Sequence, residues 1–206
     1  TMLYSETLLV PSLLLFPVKL VTANTIACHN LLVLFGFAFT GTSGYLLGRW
    51  LFRNAWSAWA LGGVLAFNTY TLSNIGQAQL LHLEWLPLAL LYLGRLLRQP
   101  TLRDALLMAI FLAAQFYTAV YYGIYSFVIV GAVGGIAWLL TSYPGMKARM
   151  SALMLLAGGI VFAILLCWPM ASRYYRLSQV YGYARTIEDA WPFSASLEMW
   201  TTALPN

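Results

Sequence analysis

The sequence predicts an all-α polytopic membrane protein, a bundle of about six transmembrane helices followed by an outer helical tail. Three observations lead there. Of 206 residues, 61% are apolar and only 8% are charged, against roughly 45–50% and 25% in a soluble domain. Eleven Lys and Arg with six Asp and Glu are too few to clothe a globule of this size in water. The mean hydropathy is +0.76. The same figures exclude a soluble enzyme, a nucleic-acid-binding domain and a disordered chain. The net charge of +5 sits between apolar runs, where it orients the chain against a membrane rather than binding nucleic acid.

A helix needs about 20 apolar residues to cross a bilayer. The runs that qualify lie near residues 24–48, 55–73, 79–98, 102–121, 123–141 and 150–171. Residues 1–23 are apolar but carry Pro11, Pro17 and Lys19, so they read as a re-entrant or interfacial segment. The organisation expected is therefore an outer segment at 1–23, a bundle at 24–171 and an outer amphipathic tail at 172–206. Neither end reads as a finished terminus: the chain opens Thr1-Met2-Leu3 without a basic leader and stops in Leu204-Pro205-Asn206, as a piece of a longer protein would.

Basic residues set the orientation. Arg49 and Arg53 follow the first run, Arg95, Arg98 and Arg103 separate the third and fourth, and Lys147 and Arg149 precede the sixth. With one crossing per run, these seven of the eleven basic residues share one side. The positive-inside rule makes that side cytoplasmic and places 172–206 outside. Thr101 with Asp104 reads as a helix start, and Pro144-Gly145 as the turn before the sixth run. Gly44…Gly48 and Gly131…Gly135 offer small faces for close helix contact.

The polar residues gather at the outer ends of the runs. Asn68, Tyr70, Asn74 and Gln77 end the second; Gln79, His82 and Glu84 open the third; Gln115, Tyr117, Tyr121 and Tyr122 end the fourth; Arg173, Tyr174, Tyr175 and Arg176 follow the sixth. Together they would line a wet, aromatic-rich outer rim, although Tyr and Trp also favour the headgroup level on physical grounds alone. On a continuous helix His82 and Glu84 would diverge by about 200°, which argues against a shared metal site. His82 could hold a phosphate or sugar hydroxyl, or cap a neighbouring helix. His29 reads as a helix–helix hydrogen-bonding group, with haem or chlorophyll ligation as the alternative. Cys28 and Cys167 read as small buried hydrophobes. In the tail, Thr186-Ile187-Glu188-Asp189 and Ser194–Trp200 each suggest a short helix lying on the membrane surface. No phosphate loop, nucleophile elbow or HExxH is present, and no pair of acids suggests acid/base work. No catalytic residue, metal site or cofactor is assigned.

Several stretches carry a resemblance. Leu61-Gly62-Gly63-Val64-Leu65-Ala66-Phe67-Asn68-Thr69-Tyr70 is followed by Gly76-Gln77-Ala78-Gln79-Leu80-Leu81, then by Trp85-Leu86-Pro87-Leu88-Ala89-Leu90 and Arg95. Tyr183-Ala184-Arg185-Thr186, Phe193–Leu197 and Leu204-Pro205-Asn206 come after the last run. This order resembles bacterial multi-span proteins of the GT-C glycosyltransferase superfamily. The resemblance implies an outer-face site that takes sugar from a polyprenyl phosphate, with an acidic residue of the first large outer loop as base or metal ligand. Family chains are longer, so this chain would be a middle portion. On that reading Gln79, His82, Arg173 and Arg176 hold phosphate or sugar. The rival reading is a non-catalytic accessory subunit of a photosynthetic or respiratory membrane complex, held among other membrane subunits. A transporter fits less well, because no charged residue falls at the middle of any predicted span.

Overall fold

A computed structural model describes residues 8–22 and 24–181. Every regular element among them is helical: α1 (Leu9–Val21), α2 (Thr25–Phe52), α3 (Ala55–Ala66), α4 (Thr69–Ser73), α5 (Trp85–Arg98), α6 (Leu102–Thr118), α7 (Val120–Leu140) and α8 (Met146–Tyr181), with one 3₁₀ turn at Ala78–Leu80 before α5. The expected helices of the tail beyond residue 181 lie outside the described residues. The chain divides into two compact units, Thr1–Trp168 and Pro169–Asn206.

Four stretches among the described residues are long and apolar enough to cross a membrane: Thr25–Phe52, Ala78–Arg98, Val120–Leu140 and Met146–Leu177. Two of the six expected spans are shorter. The second breaks at Asn68, leaving α3 with 12 residues, about 18 Å of helix. Asn68 causes the break, since its amide donates to Leu65 O at 3.0 Å while its Oδ1 accepts from Thr71 N at 2.9 Å. One side chain thus stops α3 and starts α4. The fourth, α6, has 17 residues, about 25 Å.

Apolar helix faces point outward, as lipid requires. Along α7 the buried stripe is Gly123, Ser126, Val130 and Gly134, spaced for one helix face. Val128, Ile136 and Leu140 on the other faces are 64%, 59% and 79% exposed. The core of the first unit is built where α5, α6, α7 and α8 meet: Ala89, Leu93 and Leu96 interlock with Ala105, Met108 and Leu112, closed by Val130 and Leu156. Small residues let backbones come close. At Gly159 an added Cβ would sit 2.8 Å from Met108 Cε and 3.1 Å from Ala105 O.

The α2–α3 pair uses the glycine face read from the sequence. A Cβ on Gly44 would lie 3.0 Å from Gly62 Cα, and one on Gly48 would lie 2.7 Å from Ala58 Cα. The turn between them is tight: Arg53 adopts φ 54°, and Asn54 caps α3 by accepting from Trp56 N and Ser57 N. An open groove of about 560 Å³ remains beside this contact, floored by Gly41, Gly62 and Gly63 and walled by Tyr45, Trp59 and Phe67.

The basic helix ends meet. Arg98 at the end of α5 stacks 4.2 Å over the Trp50 ring near the end of α2, a ring that packs against Gly94. Arg95 Nε reaches Asp104 Oδ1 of α6 at 3.2 Å, and Arg149 lies 4.6 Å over the Trp138 ring.

In the second unit α8 continues through Pro169 to Tyr181. The Ser172 hydroxyl donates back to Pro169 O at 3.1 Å, a local side-chain-to-backbone bond of the kind serine makes within helices.

Candidate functional site

The most polar enclosed place among the described residues is the interruption before α5. Residues 74–84 hold only a single 3₁₀ turn. Pro87 lacks the amide hydrogen that a continuous helix would use and suits the first turn of a new one, and α5 begins at Trp85, two residues before it. Non-helical backbone in an apolar bundle must have its polar groups satisfied by neighbours. Here three successive carbonyls are each taken by a side chain from a different helix. Tyr122 Oη of α7 donates to Leu80 O at 3.2 Å. Thr40 Oγ1 of α2 donates to Leu81 O at 3.2 Å, and Gln115 Nε2 of α6 donates to His82 O at 2.9 Å. Thr40 Oγ1 also accepts from Leu83 N at 3.3 Å. Just beyond, Trp85 Nε1 donates to Thr118 Oγ1 at 3.0 Å.

His82 and Glu84 meet inside this cluster. His82 Nδ1 lies 2.9 Å from Glu84 Oε1, and His82 Nε2 lies 3.2 Å from Leu32 O of α2. Both residues are enclosed, at 0% and 1% exposure. The divergence expected of a helix does not apply, because residues 81–84 precede α5 and are not helical. That corrects the sequence reading that kept the two side chains apart: they lie in the apolar stretch Ala78–Arg98, but before its regular helix begins at Trp85. Pro87, a residue favoured in the first turn of a helix, was the signal in the sequence that agrees with a start at residue 85.

Two oxygens in the cluster have no hydrogen-bond partner, Glu84 Oε2 and Gln115 Oε1. An unsatisfied buried acceptor costs about 1–3 kcal/mol, so the site carries a local cost that its other bonds offset. Removing one member of a buried charged pair costs about 3–5 kcal/mol, since the other is left uncompensated. Among the described residues no group of three His, Cys, Asp or Glu could hold a metal ion.

The four residues expected to hold phosphate or sugar fall in different settings. Gln79 lies half-buried in the 3₁₀ turn, three residues before His82. His82 has both ring nitrogens engaged and is enclosed. Arg173 and Arg176 belong to the second unit, where they stand exposed one turn apart on α8. Sequence reasoning missed Thr40 and Thr118, both buried, because a threonine in an apolar run gives no signal until its partner backbone is known. His29 is exposed, while Cys28 and Cys167 are buried and unbonded. Comparison with family models, with characterised proteins and with solved structures gives no match to this chain.

Proposed function

We propose that this chain is a GT-C-like integral membrane protein, part of a glycosyltransferase that takes sugar from a polyprenyl phosphate at the outer face of a bacterial cytoplasmic membrane. The observation that supports this reading is the coincidence of the family-like stretch with the interruption before α5. Gly76–Leu81 and Trp85–Pro87, which resemble the superfamily, flank and include the non-helical residues 81–84, whose segment is held by side chains of α2, α6 and α7. The reading takes six crossings, counting α3 with α4 and α6 as short spans, with the basic helix ends cytoplasmic.

In such a reaction the acceptor hydroxyl oxygen bonds to the anomeric carbon. The bond from that carbon to the phosphate oxygen breaks, the phosphate leaves, and a general base takes the hydroxyl proton. Gln79, Arg173 and Arg176 are the groups proposed to hold sugar or phosphate, since a guanidinium matches phosphate geometry. His82 serves by shaping the segment that carries Gln79. Glu84 Oε1 is engaged with His82 Nδ1 and Asp104 with Arg95, so neither is assigned as the base. The test is turnover of radiolabelled polyprenyl-phosphate sugars by membranes expressing the complete gene. Transfer to an acceptor that is lost with Arg173→Gln/Arg176→Gln supports the reading. No transfer from any donor overturns it, and co-purification with a haem or pigment complex would then favour the accessory-subunit reading.

A further inference from the structure

We propose that the end of the bundle where α2 and α5 finish and α6 begins seats the headgroup of an anionic phospholipid, with Arg98 as its central contact. The inference is independent of whether the chain transfers sugar. Two candidate membrane spans, Thr25–Phe52 and Ala78–Arg98, end side by side here. The ends of apolar spans lie at the level of lipid headgroups. Arg98 closes α5, and its guanidinium carbon stands 4.2 Å from the centre of the Trp50 ring of α2. The ring is held in turn by α5, since a Cβ on Gly94 would collide with Trp50 Cη2, Cζ3 and Cζ2.

Stacking commits one face of the Arg98 guanidinium to the ring and leaves its N–H groups in the plane, directed at the surroundings. The residue is exposed, and such an edge matches a phosphate with two parallel hydrogen bonds. Arg95, one turn earlier, is committed elsewhere, with Nε 3.2 Å from Asp104 Oδ1 of α6. The two arginines of α5 thus divide the work: Arg95 ties α5 to α6, and Arg98 lies toward α2. Arg49 and Arg53 at the end of α2 and Arg103 at the start of α6 are exposed as well. These three helix ends carry five guanidinium groups and one carboxylate to the same place, an excess of positive charge that complements an anion.

The surroundings of these cations favour a lipid over a free anion. Leu51 and Phe52, in the last turn of α2, are 47% and 53% exposed, and Leu102, which opens α6, is 63% exposed. A free phosphate on Arg98 would leave this apolar surface uncovered. A phospholipid covers both with one molecule, its phosphate on the guanidinium and its acyl chains along the apolar side chains. The excess charge also sets the kind of headgroup. Phosphatidylglycerol is negative, whereas the choline of phosphatidylcholine carries a positive charge that these arginines repel.

Native mass spectrometry of the full chain, released from detergent after exposure to equal amounts of dioleoylphosphatidylglycerol and dioleoylphosphatidylcholine, counts the lipids retained. The wild type should keep phosphatidylglycerol in preference. Arg98→Gln should lower the ratio of the two lipids about fivefold, the effect of one arginine near an anionic surface. Arg98→Lys keeps the charge and loses the planar fork, so its ratio should fall between the two. Lys19→Gln removes the same charge from the end of α1, which leads into the opposite end of α2, and should leave the ratio unchanged. Raising the ammonium acetate concentration should narrow the preference, because salt screens exposed charge. Inorganic phosphate at matched ionic strength should displace no more phosphatidylglycerol than acetate does. Equal retention of both lipids by the wild type, an unchanged ratio in Arg98→Gln, an equal fall in Lys19→Gln, or displacement specific to inorganic phosphate would each overturn the proposal.

Discussion

Gly36 of α2 lies directly against Leu81: a Cβ at position 36 would stand 2.9 Å from Leu81 Cβ and 3.2 Å from Leu81 O. Neither neighbour is the free end of a flexible side chain. The interruption before α5 can reach Thr40 and the Leu32 carbonyl because residue 36 has no side chain.

Gly36→Ala is therefore expected to push residues 81–82 off α2. Forcing a methyl into a packed interface costs about 1–3 kcal/mol, with part of that cost arising from stretched bonds at Thr40 and His82. Gly36→Val should cost more. Gly131→Ala is the control, since nothing lies within 4 Å of an added Cβ there, and it should leave stability unchanged. Thermal unfolding of the three variants in one detergent checks the order. A Gly36→Ala as stable as Gly131→Ala would show that the contact is slack.

Thr40 bonds the backbone on both sides of His82, giving its proton to Leu81 O and receiving one from Leu83 N. Thr40→Val keeps the shape and removes both bonds, leaving a carbonyl and an amide unpaired in an enclosed place. The expected loss is about 1–2 kcal/mol, given the modest worth of hydrogen bonds between membrane helices and the added cost of orphaned groups. Thr40→Ser restores the hydroxyl and should recover most of it. Exchange at the Leu83 amide gives the residue-level readout, rising in the Val variant and returning toward wild type in the Ser variant.

These contacts show where sequence was informative and where it was silent. The helical class followed from composition, and the basic helix ends followed from arginine positions. Their meeting is seen in Arg98 over Trp50 and Arg95 beside Asp104. Two apolar runs hide a break in the helix. The run at 79–98 looks continuous because Leu80, Leu81 and Leu83 are as apolar as a span requires, yet its α-helix begins only at Trp85, two residues before Pro87. The run at 55–73 looks long enough, yet Asn68 bonds the backbone on both sides and divides it. Hydropathy reports the environment of a segment, whereas the hydrogen bonds of one Asn or one Pro decide its conformation. The His82–Glu84 contact was illegible for the same reason, since a 3.6-residue period was applied to backbone that is not helical.

The α2–α3 contact gives a graded test of close packing. Gly48 has Ala58 Cα, Cβ and O around its missing side chain, the nearest at 2.7 Å. A leucine there has no space short of separating the two helices. Gly63, on the same stretch of α3 as Gly62, meets nothing within 4 Å. Gly48→Leu should lower the melting temperature sharply and shift disulfide cross-linking between cysteines introduced across the helix pair. Gly63→Ala should do neither, and could stabilise by up to about 1 kcal/mol through helix propensity.

The start of α6 separates a cap from an ion pair that share one carboxylate. Thr101 Oγ1 accepts from Asp104 N at 3.2 Å and donates to Asp104 Oδ2 at 2.8 Å, while Asp104 Oδ1 takes Arg95 Nε at 3.2 Å. The Arg95 side chain is 46% exposed, so water screens the pair and its worth is about 0–1 kcal/mol. Thr101 is the cap itself, and Thr101→Ala should cost about 1 kcal/mol. Arg95→Gln should therefore be milder than Thr101→Ala. Asp104→Asn should exceed Arg95→Gln, because it disturbs the cap, the favourable charge at the start of α6 and the ion pair together. Unfolding at low and high salt distinguishes the contributions. Added salt should shrink the Arg95→Gln effect and leave the Thr101→Ala effect in place, because screening acts on the charge and not on the hydroxyl.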